Sequence, residues 1–242
     1  YIPIFVSGHW HEAEERKALD ALMSRRVDGL IVLAGLLPNE ALLAYANQVP
    51  MVVVGRELSA PRVYSVCFEN FSGGELATQH LIDSGHRRIA FIAGDRLHED
   101  ARDREAGYRS ALDGAGIAYD PALVIEGDFT ETGGLLAVNR LLEGGIPFTA
   151  IFAANDQTAL GAALGLYRRN IRVPDDVSLV GFDDLAVAQF AVPPLTTVRQ
   201  PVYEMGERAA TVVLDMLKGQ VPQTTLSGPK LVTRESTRRV ER

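Results

Sequence analysis

Short apolar runs alternate with amphipathic stretches along nearly the whole chain. "YIPIFV" (1–6) predicts a strand, and "HEAEERKALDALMSRR" (11–26) predicts a helix with Ala18, Leu19, Leu22 and Met23 on one face. "DGLIVLAG" (28–35) predicts a second strand and "PMVVVG" (50–55) a third. Between them "PNEALLAYANQ" (38–48) opens on proline, whose missing N–H costs least at the start of a helix. The rhythm continues as strand 63–68, helix 71–84, strand 88–94, helix 102–116, strand 122–127, helix 131–143, strand 148–154, helix 157–170 and strand 177–182. Continuous apolar runs suit strands covered on both faces. The pattern therefore predicts a doubly wound α/β fold with parallel sheets.

The rhythm breaks once, at "PPLTTVRQP" (193–201). A residue before proline avoids the helical region, so this segment is extended and reads as a connector. After it, "VYEMGERAATVVLDMLKG" (202–219) resumes as a helix with Gly219 as its C-cap, and "PKLVTRES" (229–236) predicts a last strand.

Composition narrows the classes. With 242 residues, 47% hydrophobic and 23% charged, the chain can bury one large core or two small ones. A net charge of −7 argues against these residues themselves forming a nucleic-acid-binding surface, which carries a concentrated positive field. The single cysteine, Cys67, excludes an internal disulfide and fits a reducing, cytoplasmic compartment. No apolar run approaches the roughly 20 residues of a membrane span. The first residues lack the basic and apolar regions of a signal peptide, in a sequence that begins at Tyr1 rather than Met.

Enzyme signatures fail one by one. His11-Glu12 and His98-Glu99 lack the second histidine of a zinc helix, because the required positions hold Glu15 and Arg102. His9 and His11 could share a metal, but the start of a solvated loop is the plainer reading. Neither common phosphate-cradling glycine loop nor a Gly-x-Ser-x-Gly elbow occurs, and spacing singles out no acid/base pair of carboxylates. No catalytic residue, cofactor or metal is expected.

What remains are polar residues at the carboxyl ends of predicted parallel strands, where open α/β sheets bind ligands. Arg102 and Arg104 follow strand 88–94 at the front of a helix, where the helix dipole disfavours cations; either touches a ligand or is a solvated charge. Phe129 follows strand 122–127 in a polar turn, where its ring could stack on a sugar or base or pack on a neighbouring loop. Asn155-Asp156 follows strand 148–154 and Asp183-Asp184 follows strand 177–182; each pair could cap a helix, face a ligand, or divide the two tasks.

Four segments carry a resemblance: "ATQHLIDSGHRRIAFIAG", "AIFAANDQTALGAALGLYRRNIRVPDDVSLVGFDD", "PPLTTVRQP" and "LVTRES" resemble, in order, the effector-binding core of LacI/GalR-family transcriptional regulators. The resemblance covers nearly the whole chain. It implies two Rossmann-like, periplasmic-binding-protein-like subdomains joined by three crossovers, with a small molecule held between them. By position these would be 1–68 with 202–225 and 69–201 with 226–242, so that "PPLTTVRQP" becomes a hinge strand. Arg104 falls in the family's Arg-x-Ala-Gly-aromatic pattern, Phe129 matches the aromatic after Gly-Asp, Asn155 precedes the acid of "ND", and Asp183 is the first acid of "FDD". The resemblance implies that these four face the effector, that Asp100 and Phe68 line the site, and that Asp156 and Asp184 are helix caps. A carboxylate, an amide, a guanidinium and a ring suit a polyhydroxyl ligand, a sugar or sugar derivative.

Two departures accompany it. Family members carry a strand and helix before the strand matched by "YIPIFV", preceded by a helix-turn-helix, and these 242 residues contain neither. "VGRE" (54–57) has Gly55 where members commonly have an acid, which removes one ligand contact. The implied function is effector sensing for a repressor, as a homodimer acting on operator DNA through the helix-turn-helix. A periplasmic sugar-binding protein of a transport system is the alternative, and a sugar-processing enzyme a third class.

Overall fold

The structure, a computed structural model, describes residues 1–33 and 35–240. Ala34, inside the predicted strand 28–35, lies outside the described residues, as do Glu241 and Arg242. The chain forms two compact units, Tyr1–Phe68 with Pro201–Gly228 and Glu69–Gln200 with Pro229–Arg242.

The first unit has a parallel sheet of β1 (Leu30–Leu33), β2 (Met51–Val54) and β3 (Val63–Val66), in that order. Helices α1 (Glu12–Ser24) and α2 (Asn39–Ala46) supply Leu19, Leu42, Tyr45 and Ala46 to a core with Leu30, Met51 and Val53. Helix α7 (Val202–Leu217) packs against all three strands and buries Met205, Ala209 and Val212. The predicted strand at 1–6 does not form: Tyr1–Ser7 have no regular structure, and Tyr1, Ile2 and Phe5 are exposed. An apolar run is stable as a strand only against a neighbour. Among the described residues, no strand pairs with this run.

The second unit holds a six-stranded sheet, β5 (Val124–Ile125), β4 (Ile89–Ile92), β6 (Ala150–Ala153), β7 (Ser178–Asp183), β8 (Thr196–Arg199) and β9 (Lys230–Val232), in spatial order. Every pairing is parallel except β8 with β9. Side chains of successive strand residues point to opposite faces. Ala90, Ile92, Ile151, Ala153 and Leu179 thus pack on α5 (Glu131–Glu143) and α6 (Asp156–Arg168). Phe91 and Phe152 point the other way, where Phe91 stacks on Tyr108 of α4 (Glu99–Gly114), and Phe182 lies against Gly73 of α3 (Asn70–Asp83).

The connector 193–201 contains β8, a full member of the sheet through its register with β7. Most predicted strands form shorter than their apolar runs. Pro121–Leu123 forms a 3-10 turn that leaves Val124–Ile125 as β5, and the last strand ends at Val232.

Candidate strand-end site of the second unit

Parallel strands place their carboxyl ends on one edge, and the segments after β4, β5, β6 and β7 each bring a candidate side chain there. Helix α4 begins at Glu99, three residues before the predicted start, which puts Asp100 in its first turn and Arg104 on its buried side. Arg104 is 3% exposed, which removes the solvated-charge reading. Its Nε donates to Asn70 Oδ1 at 2.9 Å and its Nη1 to the Ala154 carbonyl at 2.6 Å. The guanidinium lies 3.8 Å from the Phe182 ring centroid and 5.8 Å from that of Phe129. Asp183 Oδ1 stands 3.6 Å from Nη1, and Asn70 Nδ2 donates to Asp100 Oδ1 at 2.9 Å. One guanidinium thus ties α3, α4, β6 and β7 together. Burial lowers its pKa, opposed by Asp183 and Asp100.

Asp183 has φ +106, Asp184 φ +57 and Phe129 φ +64. Such angles cost non-glycine residues of order 1–3 kcal/mol each and collect where surrounding structure enforces them, as at ligand sites. Phe129 packs over Gly94, whose bare backbone at the end of β4 leaves room for the ring, and His98 stands edge-on to it at 6.0 Å. Burial pushes the Asp183 carboxyl up to about 6, with Arg104 opposing and Asp100 adding to the rise. Burial also raises Asp100.

The two Asx pairs behave differently from expectation. Asn155, not Asp156, is the N-cap of α6: its backbone is extended and its Oδ1 accepts the Thr158 N–H at 2.9 Å, while Nδ2 donates to the Phe129 carbonyl at 3.0 Å. Capping requires the residue just outside the helix, and Asp156 is already the first helical residue. Asp156 is fully buried and accepts from Thr197 Oγ1 at 2.6 Å and the Leu185 N–H at 2.7 Å. Asp184 is not a cap either. It bridges Arg199 Nε and Arg234 Nη2, each at 2.6 Å.

Phe68, the remaining candidate, is the last residue of the first unit, buried two residues past β3. Sequence reasoning missed Asn70, which joins Asp100 to Arg104, and Phe182, on which the guanidinium rests. Asn70 could have been noticed as a polar residue between a predicted strand and a predicted helix; Phe182 looked like any other strand residue. Among the described residues, no group of three or more His, Cys, Asp or Glu stands where it could hold a metal.

A two-unit α/β chain with polar groups gathered at parallel strand ends defines the class of periplasmic-binding-protein-like ligand binders, and residues 78–237 match the family described as periplasmic binding protein-like domain. The chain belongs to the LacI/GalR family of transcriptional regulators. It is 37% identical over 233 residues to the HTH-type transcriptional regulator GalR of Escherichia coli strain K12, covering 95% of this chain and 68% of GalR. The structure of a transcriptional regulator CelR-cellobiose complex superposes with a TM-score of 0.84 at 39% identity, covering 93% of this chain and 71% of that one. The lac repressor dimer bound to operator and the anti-inducer ONPF gives 0.83 at 31% identity, covering 94% of this chain and 80% of that one. These relatives are transcriptional regulators rather than enzymes or transport proteins. Among the described residues, no helix is long and apolar enough to cross a membrane.

Proposed function

We propose that this chain senses a small hydroxylated effector, a sugar or sugar derivative, for a transcriptional repressor that works in the cytoplasm by binding rather than catalysis. The observation that carries the reading is the Arg104–Asp183 pair, with its guanidinium held on Phe182 and its carboxylate on a left-handed backbone. Such a pair is preorganised to exchange charge-assisted hydrogen bonds with hydroxyls, while Phe129 covers C–H surface. CelR, 39% identical to this chain over the aligned region, was solved with cellobiose. Arg104, Asp183, Phe129 and Asp100 are the proposed contacts. Asn155 contributes through its hold on Phe129, and Phe68 is proposed as a lining residue of the first unit.

An effector shifts a conformational equilibrium only through different affinity for the two states. In a homodimer that shift can reach paired operator contacts made by a helix-turn-helix outside these residues. A thermal-shift screen of sugars, sugar phosphates and purines tests the sensing step. A ligand at about 100 times its dissociation constant stabilises by about 2.7 kcal/mol. Asp183→Ala is expected to abolish the hit's shift and leave the unliganded melting temperature nearly unchanged; an undiminished shift removes Asp183 from the site.

A further inference from the structure

The strand-end cluster also bears on the charge of its ligand, given the effector-sensing reading above. Most of the guanidinium of Arg104 is engaged within the protein: Nε by Asn70, Nη1 by the Ala154 carbonyl beside Asp183, and one face by Phe182. Among the described residues Nη2 has no hydrogen-bond acceptor, so one guanidinium nitrogen remains for a ligand. On the acid side, Asp100 uses Oδ1 for Asn70, and Asp183 has Oδ1 toward Arg104 and, at 3.4 Å, Gln200 Nε2. Their Oδ2 atoms take no hydrogen bond among the described residues. The Asp184 carboxylate is answered by Arg199 and Arg234, which are therefore not free to balance a ligand's charge. Asp156 adds a further carboxyl group beneath the same turn.

We propose that this cluster selects an uncharged polyol and rejects the phosphate ester of the same polyol. Neighbouring hydroxyls donate to the carboxylates of Asp100 and Asp183 and accept from Arg104 Nη2. An anion in that place meets two carboxylates for one available guanidinium nitrogen, and like charges in a desolvated site repel strongly. The groups facing Asp183 are Arg104 and Asp100 from α4, Asp156 from α6 and Gln200 after β8, while His98, just before α4, acts on Asp100. At neutral pH Asp183, pushed up to about 6, is mostly ionised.

Calorimetric titration of the full 242-residue chain at neutral pH tests this, with glucose, galactose and cellobiose as neutral probes and the phosphate esters of glucose and galactose as anionic ones. The neutral member of a matched pair is expected to bind at least ~10-fold tighter than its ester. In Asp183→Asn, whose fold is checked by an unchanged unliganded melting temperature, neutral binding weakens and the ratio shrinks. An ester that binds as tightly as its parent sugar overturns the inference alone, as does a ratio unchanged in Asp183→Asn. Binding by none of these probes overturns the sugar-sensing reading together with it.

Discussion

In the second unit, the central strands β4, β6 and β7 keep Phe91, Ile151, Phe152 and Val180 wholly out of solvent. In the first, β1 forms the edge of its sheet and leaves Ile31 and Leu33 44% and 72% exposed. All are β-favouring or aliphatic residues in runs of similar apolarity, so the difference lies in the neighbours. A strand flanked on both sides and covered on both faces buries every residue, whereas the edge strand β1 buries Leu30 in the core shared with α1 and α2 and leaves Ile31 and Leu33 open to solvent. The consequence for function is that the second unit offers a rigid floor. Asp183 ends β7 and Arg104 reaches from α4 to the carbonyl just past β6, so both rest on strands whose cores cannot shift without opening cavities.

This contrast can be broken or sharpened by substitution. The largest effect is expected at Phe152→Ala, which empties the centre of the six-stranded sheet and should destabilise that unit by about 3–5 kcal/mol in denaturant unfolding. A loss under ~1 kcal/mol would show that the floor can collapse around a void. Gly181→Ala comes next, because a Cβ there runs into Asp156 Oδ1 and the Leu195 side chain. Overpacking of this kind costs about 1–3 kcal/mol. Because it displaces Asp156 from the 183–185 turn, it should also weaken the ligand shift, which a calorimetric titration would read.

A smaller effect, readable in pH, is expected at Asp156. Burial pushes its carboxyl up to about 7. An acid raised on folding contributes stability in full below its ordinary range and loses it as pH rises through the folded value. The wild-type melting temperature, measured against Asp156→Asn, should therefore fall from about pH 4 to about pH 7. A difference that stays flat across that window would mean the buried carboxylate ionises freely. Least affected should be Leu33→Thr on the exposed face of β1, within about 0.5 kcal/mol of wild type. A loss above ~2 kcal/mol would show that β1 is covered in solution.

Much of the second unit was legible in the chain. Helix 131–143 forms as Glu131–Glu143, the runs at 88–94 and 148–154 each contain the strand expected of them, and the strand expected at 177–182 forms one residue later at both ends. The run at 1–6 was equally apolar and formed nothing, because a strand is a pairwise object and its own spacing says nothing about a partner. Arg104, Phe129 and Asp183 could be nominated because they follow predicted strands. Asn70 could not be joined to them, since its tie to Arg104 spans 34 positions. The Asn-Asp pair at 155–156 shows the limit most clearly. Either residue can cap a helix, and the choice turned on one residue's difference in where α6 starts.

The sequence by itself determined where helices and strands could run and which polar residues stood at strand ends, because periodicity and chain order are local properties. Only the tertiary structure decided that Asn155 caps, and that Asp156 is buried under a turn by bonds spanning 29 and 41 positions. It likewise decided that Asp183 faces a guanidinium while Asp184 holds Arg199 and Arg234. Hydrogen-bond partners across a fold are chosen by packing, and adjacent identical residues on a left-handed turn point to different neighbours.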